Sequence, residues 1–283
     1  MTLPDETTWT AAAAAGFELG LIILGAWLVW TRALSPKARL APAAALSEWR
    51  LVPIDFACFL CFAFVGATAL SAAAGFLLRR SHLGPDAMMV AGGAVMHLGI
   101  LLGLAGFFAM YGLRKQIGGP GPLAAPALKS GLVTFLIALP LVDGTSFAWD
   151  YVLEKAGLPA ERQDMVDILQ NTGSPWVKLA LVLIATLLVP VTEEVLFRGG
   201  LFRYFRTRIP RSVAIGVTSL LFGALHVSWG DHLGGLPSFA PLTVLAVVFC
   251  LAYERTGSIG TTIVAHALFN LNTFVMIAGG IGS

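Results

Sequence analysis

Hydrophobic residues run through this chain in long blocks separated by short polar clusters, and the blocks predict eight helices. They lie near 11–31, 56–78, 87–113, 131–153, 177–200, 212–229, 240–253 and 260–278. The first five exceed the 17 to 20 residues that cross about 30 Å of hydrocarbon at about 1.5 Å per residue, whereas the block at 240–253 is short. The expected fold class is all-α, a polytopic transmembrane helix bundle of about eight spans. One membrane domain is expected overall: N-terminal transmembrane helices over 1–153, a polar connecting loop at 154–176, and a catalytic transmembrane core over 177–283. Within the loop, Pro159 to Gln170 reads equally as a short surface helix opened by its proline or as a plain connector. No internal repeat or low-complexity tract is visible.

Composition strengthens the membrane reading: 57% of residues are hydrophobic and only 12% charged, about half the charge of an ordinary soluble domain. The first residues lack the basic region of a secretory signal, so the first apolar block is expected to remain as a helix. The net charge of +2 says little, but its distribution separates two aqueous faces. Arg32, Lys37, Arg39, Arg50, Arg114, Lys115, Lys129, Arg198, Arg203, Arg206, Arg208, Arg211 and Arg255 fall on one side, against Arg79, Arg80, Lys155, Arg162 and Lys178 on the other, so the positive-inside rule makes the first side cytoplasmic, with both termini outside. Trp27, Trp30, Trp49, Trp149, Trp176 and Trp229 fall near predicted helix ends, where indoles favour the headgroup layer. Cys58, Cys61 and Cys250 lie in apolar helices as packing residues.

Against this background the adjacent Glu193 and Glu194 are costly, since a charge at the bilayer centre carries roughly 2.5–3.5 kcal/mol on insertion scales and marks a functional site by default. On a helix Glu194 and Arg198 stand at i, i+4 and share a face, while Glu193 points about 100° away. Pro190 just before them permits a kink, tolerated where the opened backbone lines a protein-filled or wet cavity. His226 ends the run Phe222-Gly223-Ala224-Leu225-His226, and its two small residues would let another helix approach closely. His266 and Asn270 share a helical face, where they could donate to a developing oxyanion or complete a water or metal site. Glu18, Asp55, His97 and Asp143 read as interhelical or interfacial polar residues.

These three motifs, in this order, resemble those of the CPBP family of intramembrane proteases, also called the CAAX protease and bacteriocin-processing or Abi family. That family carries a double glutamate with an arginine four residues after the second, a phenylalanine four before a histidine, and a histidine four before an asparagine or aspartate. Here they are Glu193-Glu194 with Arg198, Phe222 with His226, and His266 with Asn270, within a likeness covering about 176–276. The resemblance implies an endopeptidase that hydrolyses peptide bonds of a membrane-embedded or lipidated peptide or protein substrate in the bilayer, not a nucleic-acid partner. It also implies a location in the plasma (inner) membrane of a bacterium.

Chemically, Glu193 is the expected general base for water, with Glu194, held by Arg198, orienting a histidine or the water. His226 would share the water, and His266 and Asn270 would stabilise the oxyanion. A second version, from the family's usual classification as metalloprotease, places Zn²⁺ on His226, His266 and a glutamate such as Glu194, with the other glutamate as base. Both versions stand at this level. A proton-coupled transporter is the alternative from another class, since intramembrane Glu and His also form proton relays, and a non-catalytic immunity or partner protein is a third reading.

Overall fold

The structure, a computed structural model, describes residues 19–20, 22–36, 46, 49, 51–111, 125–158, 168–169, 171–229 and 233–278. Among them every regular element is helical: α1 (22–34), α2 (Pro53–Leu78), α3 (Pro85–Tyr111), α4 (Ala125–Ala156), α5 (Pro175–Arg206), α6 (Arg211–Ala224), α7 (Leu236–Thr256) and α8 (Ile259–Ala278). Six of these, α2 to α5, α7 and α8, are long and apolar enough to cross a membrane, and the chain is an integral membrane protein. Residues 11–18 and 21 of the first expected helix and most of the 159–170 segment lie outside the described residues.

The helix starts follow local chemistry. Proline opens α2, α3 and α5, where its missing N–H costs nothing, and at α5 the Ser174 hydroxyl before Pro175 accepts from Val177 N–H at 3.4 Å. Helix α7 ends on Gly257 at φ +65°, whose N–H returns to the Tyr253 carbonyl.

Helices α2 and α3 present apolar residues on all sides, with Ile54, Phe64, Val65, Phe76 and Leu102 exposed, the pattern of helices facing lipid. They join through glycines: a Cβ on Gly103 would sit 2.0 Å from the Phe62 carbonyl oxygen, and one on Gly66 2.2 Å from that of Gly99. Without a hydrophobic force between helices in lipid, such close backbone approach supplies the packing.

Helix α7 is the centre of the second half, packed by α4, α6 and α8. A Cβ at Gly223 of α6 would meet the Phe239 carbonyl oxygen at 2.7 Å, the close approach its small side chain was expected to allow. At the α4–α8 contact the Ser130 and Thr261 hydroxyls share a 2.7 Å hydrogen bond. Helix α6 stops at Ala224, five residues before the expected end. There Ser228 N–H bonds the Gly234 carbonyl at 2.8 Å, and Gly235 at φ +78° turns the chain into α7, so the apolar residues after Ala224 belong to a loop.

The arginine-rich face is tied by side chains. Glu254 accepts from Arg206 Nε at 2.5 Å and Arg211 Nε at 2.6 Å, linking α7 to both ends of the α5–α6 turn. Arg208 lies over the Tyr204 ring at 3.9 Å and donates to the Trp49 and Leu51 carbonyls. Trp49 is therefore no headgroup anchor. It is fully buried, edge-on to Phe59 at 5.3 Å, while Trp27, Trp30, Trp176 and Trp229 remain exposed as expected. Its neighbours on α2 and the Arg208 anchor pull this residue into the core, a tertiary effect that proximity to a helix end does not encode.

Candidate active site

Helix α5 carries both glutamates, and its backbone changes register around them. Two π-helical stretches, Ile184–Leu188 and Val195–Phe202, flank the short α-helical Val189–Glu194. Val189 N–H reaches back five residues to the Ile184 carbonyl. Pro190 has no N–H for the next carbonyl in that register, Ala185, and Asn270 Nδ2 of α8 supplies the missing donor at 2.7 Å. Asn270 therefore stitches α8 to α5 one turn before the glutamates. This bond engages one of the two N–H groups of its carboxamide.

The two glutamates diverge as their spacing requires. Glu194 and Arg198 are both fully buried, and Arg198 Nη1 donates to Glu194 Oε1 at 2.9 Å. The same oxygen takes His266 Nδ1 at 2.9 Å. Arg198 lies between two rings, 4.6 Å from the centroid of Phe222 and 5.2 Å from that of Phe249, which spreads its charge over π faces instead of water.

Glu193 faces the other edge of the imidazoles. Its Oε2 is 3.8 Å from His266 Nε2 and its Oε1 3.9 Å from His226 Nε2, with the carboxylate 17% exposed. His226, on the turn after α6, binds the Phe222 carbonyl through Nδ1 at 2.7 Å. In both histidines Nδ1 is thus the donor to an oxygen acceptor, and Nε2 is turned towards Glu193. The 3.8–3.9 Å separations exceed a direct hydrogen bond but suit one bridging polar atom, and Glu193 Oε2 is buried without a protein hydrogen-bond partner.

Glu193, Glu194, Arg198, His226 and His266 converge on one place, from α5, the α6 turn and α8, while Asn270 contacts the Ala185 carbonyl of α5. The trio Glu194, His226 and His266 does not gather around one point, however: Glu194 meets His266 at Nδ1, while His226 approaches Glu193. The donor chemistry facing Glu193, two Nε2 atoms and a carboxylate, is of the kind zinc takes. Among the described residues, no three His, Cys, Asp or Glu side chains come close enough together to hold a metal ion.

Several participants were not identified from sequence. Phe222 was visible as a motif residue, but its work is spatial: its ring covers Arg198, its carbonyl fixes His226, and its centroid is 4.8 Å from that of His226 and 6.2 Å from that of His266. Phe249 and the Ala185 carbonyl carried no local signal. His97 of α3, expected as a structural polar residue, comes within electrostatic reach of Glu193, and its Nδ1 is buried without a hydrogen-bond partner.

Known proteins share this region. The family model described as "Type II CAAX prenyl endopeptidase Rce1-like" matches residues 175–272, which contain all six residues. An Escherichia coli protein named "Uncharacterized 24.3 kDa protein" is 30% identical over 173 residues, covering 60% of this chain and 74% of that protein. A Bacillus subtilis (strain 168) protein named "Putative membrane peptidase YdiL" is 26% identical over 144 residues, covering 50% of this chain and 52% of its own length. No solved structure matches. Because the matched span begins with α5, ends within α8 and holds the paired glutamates with their histidines, the chain belongs to the CPBP family, to which the type II CAAX prenyl endopeptidases are assigned.

Proposed function

We propose that this protein is an intramembrane endopeptidase that hydrolyses a peptide bond in a membrane-embedded or lipidated substrate, with Glu193 activating the water. The observation that carries this reading is the pair of gaps around Glu193: one carboxylate, partly exposed, facing two imidazole Nε2 atoms at 3.8 and 3.9 Å. A water held there is polarised by Glu193 and positioned by His226.

Attack on the scissile carbonyl transfers the water proton to Glu193 and forms a tetrahedral oxyanion. Asn270 offers its second N–H to that oxygen, and His266, with Nδ1–H on Glu194, is held with Nε2 facing the reacting centre. Collapse breaks the C–N bond, and Glu193 returns its proton to the departing amine. Glu194 and Arg198 act one layer behind, orienting His266.

The test is cleavage by purified protein in lipid nanodiscs of two fluorogenic CAAX-terminated peptides, one farnesylated and one not, comparing the parent with Glu193→Ala. Cleavage by the parent and its loss in a folded Glu193→Ala protein is the expected result. Undiminished cleavage in that variant would remove Glu193 from the chemistry, and farnesyl dependence would fix the substrate class.

A further inference from the structure

His97 lies near the middle of α3, about 20 Å along the helix from either end at about 1.5 Å per residue, and no step of the proposed hydrolysis uses it. An imidazole at that depth is costly and marks a functional position with a partner. The residue stands outside the span 175–272 that matches the CAAX endopeptidase model.

Packing fixes the face of α3 on which it stands. Val90, His97 and Leu104 recur at heptad spacing and form one stripe. Val90 is buried in a cluster with Leu181 of α5 that Ile184 joins, and Leu104 in a cluster joined by Val195 and Leu196 of the same helix. Helix α3 therefore runs alongside α5 in the same direction, and His97 sits between the two contacts, beside the stretch that carries Glu193. The imidazole is within electrostatic reach of that carboxylate.

Both groups bury an atom that needs a partner. Among the described residues, neither His97 Nδ1 nor Glu193 Oε2 has one, and a single polar bridge would satisfy the two together. Glu193 also needs restraint. Its nearest imidazole nitrogens stand beyond direct hydrogen-bond distance, and the terminal torsion of a glutamate is broad, so these contacts alone do not fix which oxygen meets the attacking water.

We propose that His97 is a positioning residue for the general base: its Nδ1–H holds Glu193 Oε2 through a bridging water and so turns Oε1 to the water that attacks. The inference rests on the hydrolytic reading of Glu193 and adds an N-terminal helix to that machinery.

The test compares the parent with His97→Leu, His97→Asn and Glu193→Ala in nanodiscs, by cleavage of the farnesylated peptide and by thermal unfolding. His97→Leu should lower kcat about 10- to 100-fold, the scale of a reacting group misplaced by about 1 Å, with KM within about twofold of the parent. His97→Asn keeps a donor close to the place of Nδ1 and should recover most of kcat. If His97→Leu does not fold, His97→Gln, whose amide reaches the place of Nε2 instead, replaces it and should be impaired where His97→Asn is not. A parental kcat in His97→Leu, or equal impairment in His97→Asn, would overturn the proposal and leave the Glu193 chemistry standing. An active Glu193→Ala would overturn the hydrolytic reading and this inference with it. Infrared spectroscopy reads the contact without turnover: the carboxyl band lost in Glu193→Gln should shift in His97→Leu and return towards the parent position in His97→Asn, and an unshifted band would overturn the proposal.

Discussion

Glu193 and Glu194 are adjacent, yet replacing each with glutamine should break different things. Glu194→Gln removes the charge that Arg198 and His266 both meet at 2.9 Å, leaving a fully buried guanidinium uncompensated. Breaking such a pair from one side costs about 3–5 kcal/mol. At about 2–4 °C per kcal/mol for a chain of this order of size, the melting temperature should fall by roughly 6–20 °C. Glu193→Gln breaks no direct hydrogen bond, since its nearest imidazole nitrogens stand at 3.8 and 3.9 Å. Its stability should stay within about 0.5 kcal/mol of the parent, while cleavage is lost. Both variants would be followed in nanodiscs by intrinsic fluorescence on heating and by peptide cleavage. Equal melting shifts for the two variants would refute this division of roles, as would an unshifted Glu194→Gln or an active Glu193→Gln.

Asn270→Leu should uncover the Ala185 carbonyl beside Pro190 and cost about 1–3 kcal/mol of stability, with a larger fall in kcat than in KM; Asn270→Asp, which offers that carbonyl an acceptor, should not restore it, and rescue by aspartate in cleavage and melting assays would refute the clamp. Gly103→Ala would drive a Cβ to 2.0 Å from the Phe62 carbonyl oxygen, so α2 and α3 must separate at a cost of about 1–3 kcal/mol; a melting temperature equal to the parent's would contradict that packing, and Gly92→Ala, where nothing lies within 4 Å, is the control. Exhaustive chelation, with metal content measured by mass spectrometry, should leave cleavage intact if Glu193 and the imidazoles suffice; loss that zinc alone restores would place the metal in the mechanism.

The sequence exposes those parts of the architecture that lipid enforces. Apolar blocks must become helices because the bilayer offers no partner for backbone groups, so the six crossing helices were visible with only their ends displaced, whereas the block at 212–229 yields a helix too short to cross. The Glu194–Arg198 pair was legible because i, i+4 spacing brings the two together on any helix. The approach of His226, His266 and Asn270 to α5 was suggested by motif order. The use of Asn270 was not, because the Ala185 carbonyl becomes needy only when the helix shifts to π register ahead of Pro190, and a 3.6-residue pattern does not reveal that shift. Trp49 was misplaced because its burial depends on Phe59 and on Arg208 far along the chain. The end of α6 was misplaced because Leu225, Val227 and Trp229 continue the apolar pattern while Gly234 and Gly235 fold the backbone away.

The shortness of α6 sets a length mismatch beside the proposed water-activating cluster. Its 14 residues rise only about 21 Å from the arginine face, against a hydrocarbon thickness of about 30 Å. The exposed indole of Trp229, just past the helix end, nevertheless favours the headgroup layer. A bilayer accommodates so short an element by thinning around it. On the proposed reading, headgroups and water would then dip towards the turn that carries His226 and give the reactant a route to the partly exposed carboxylate of Glu193.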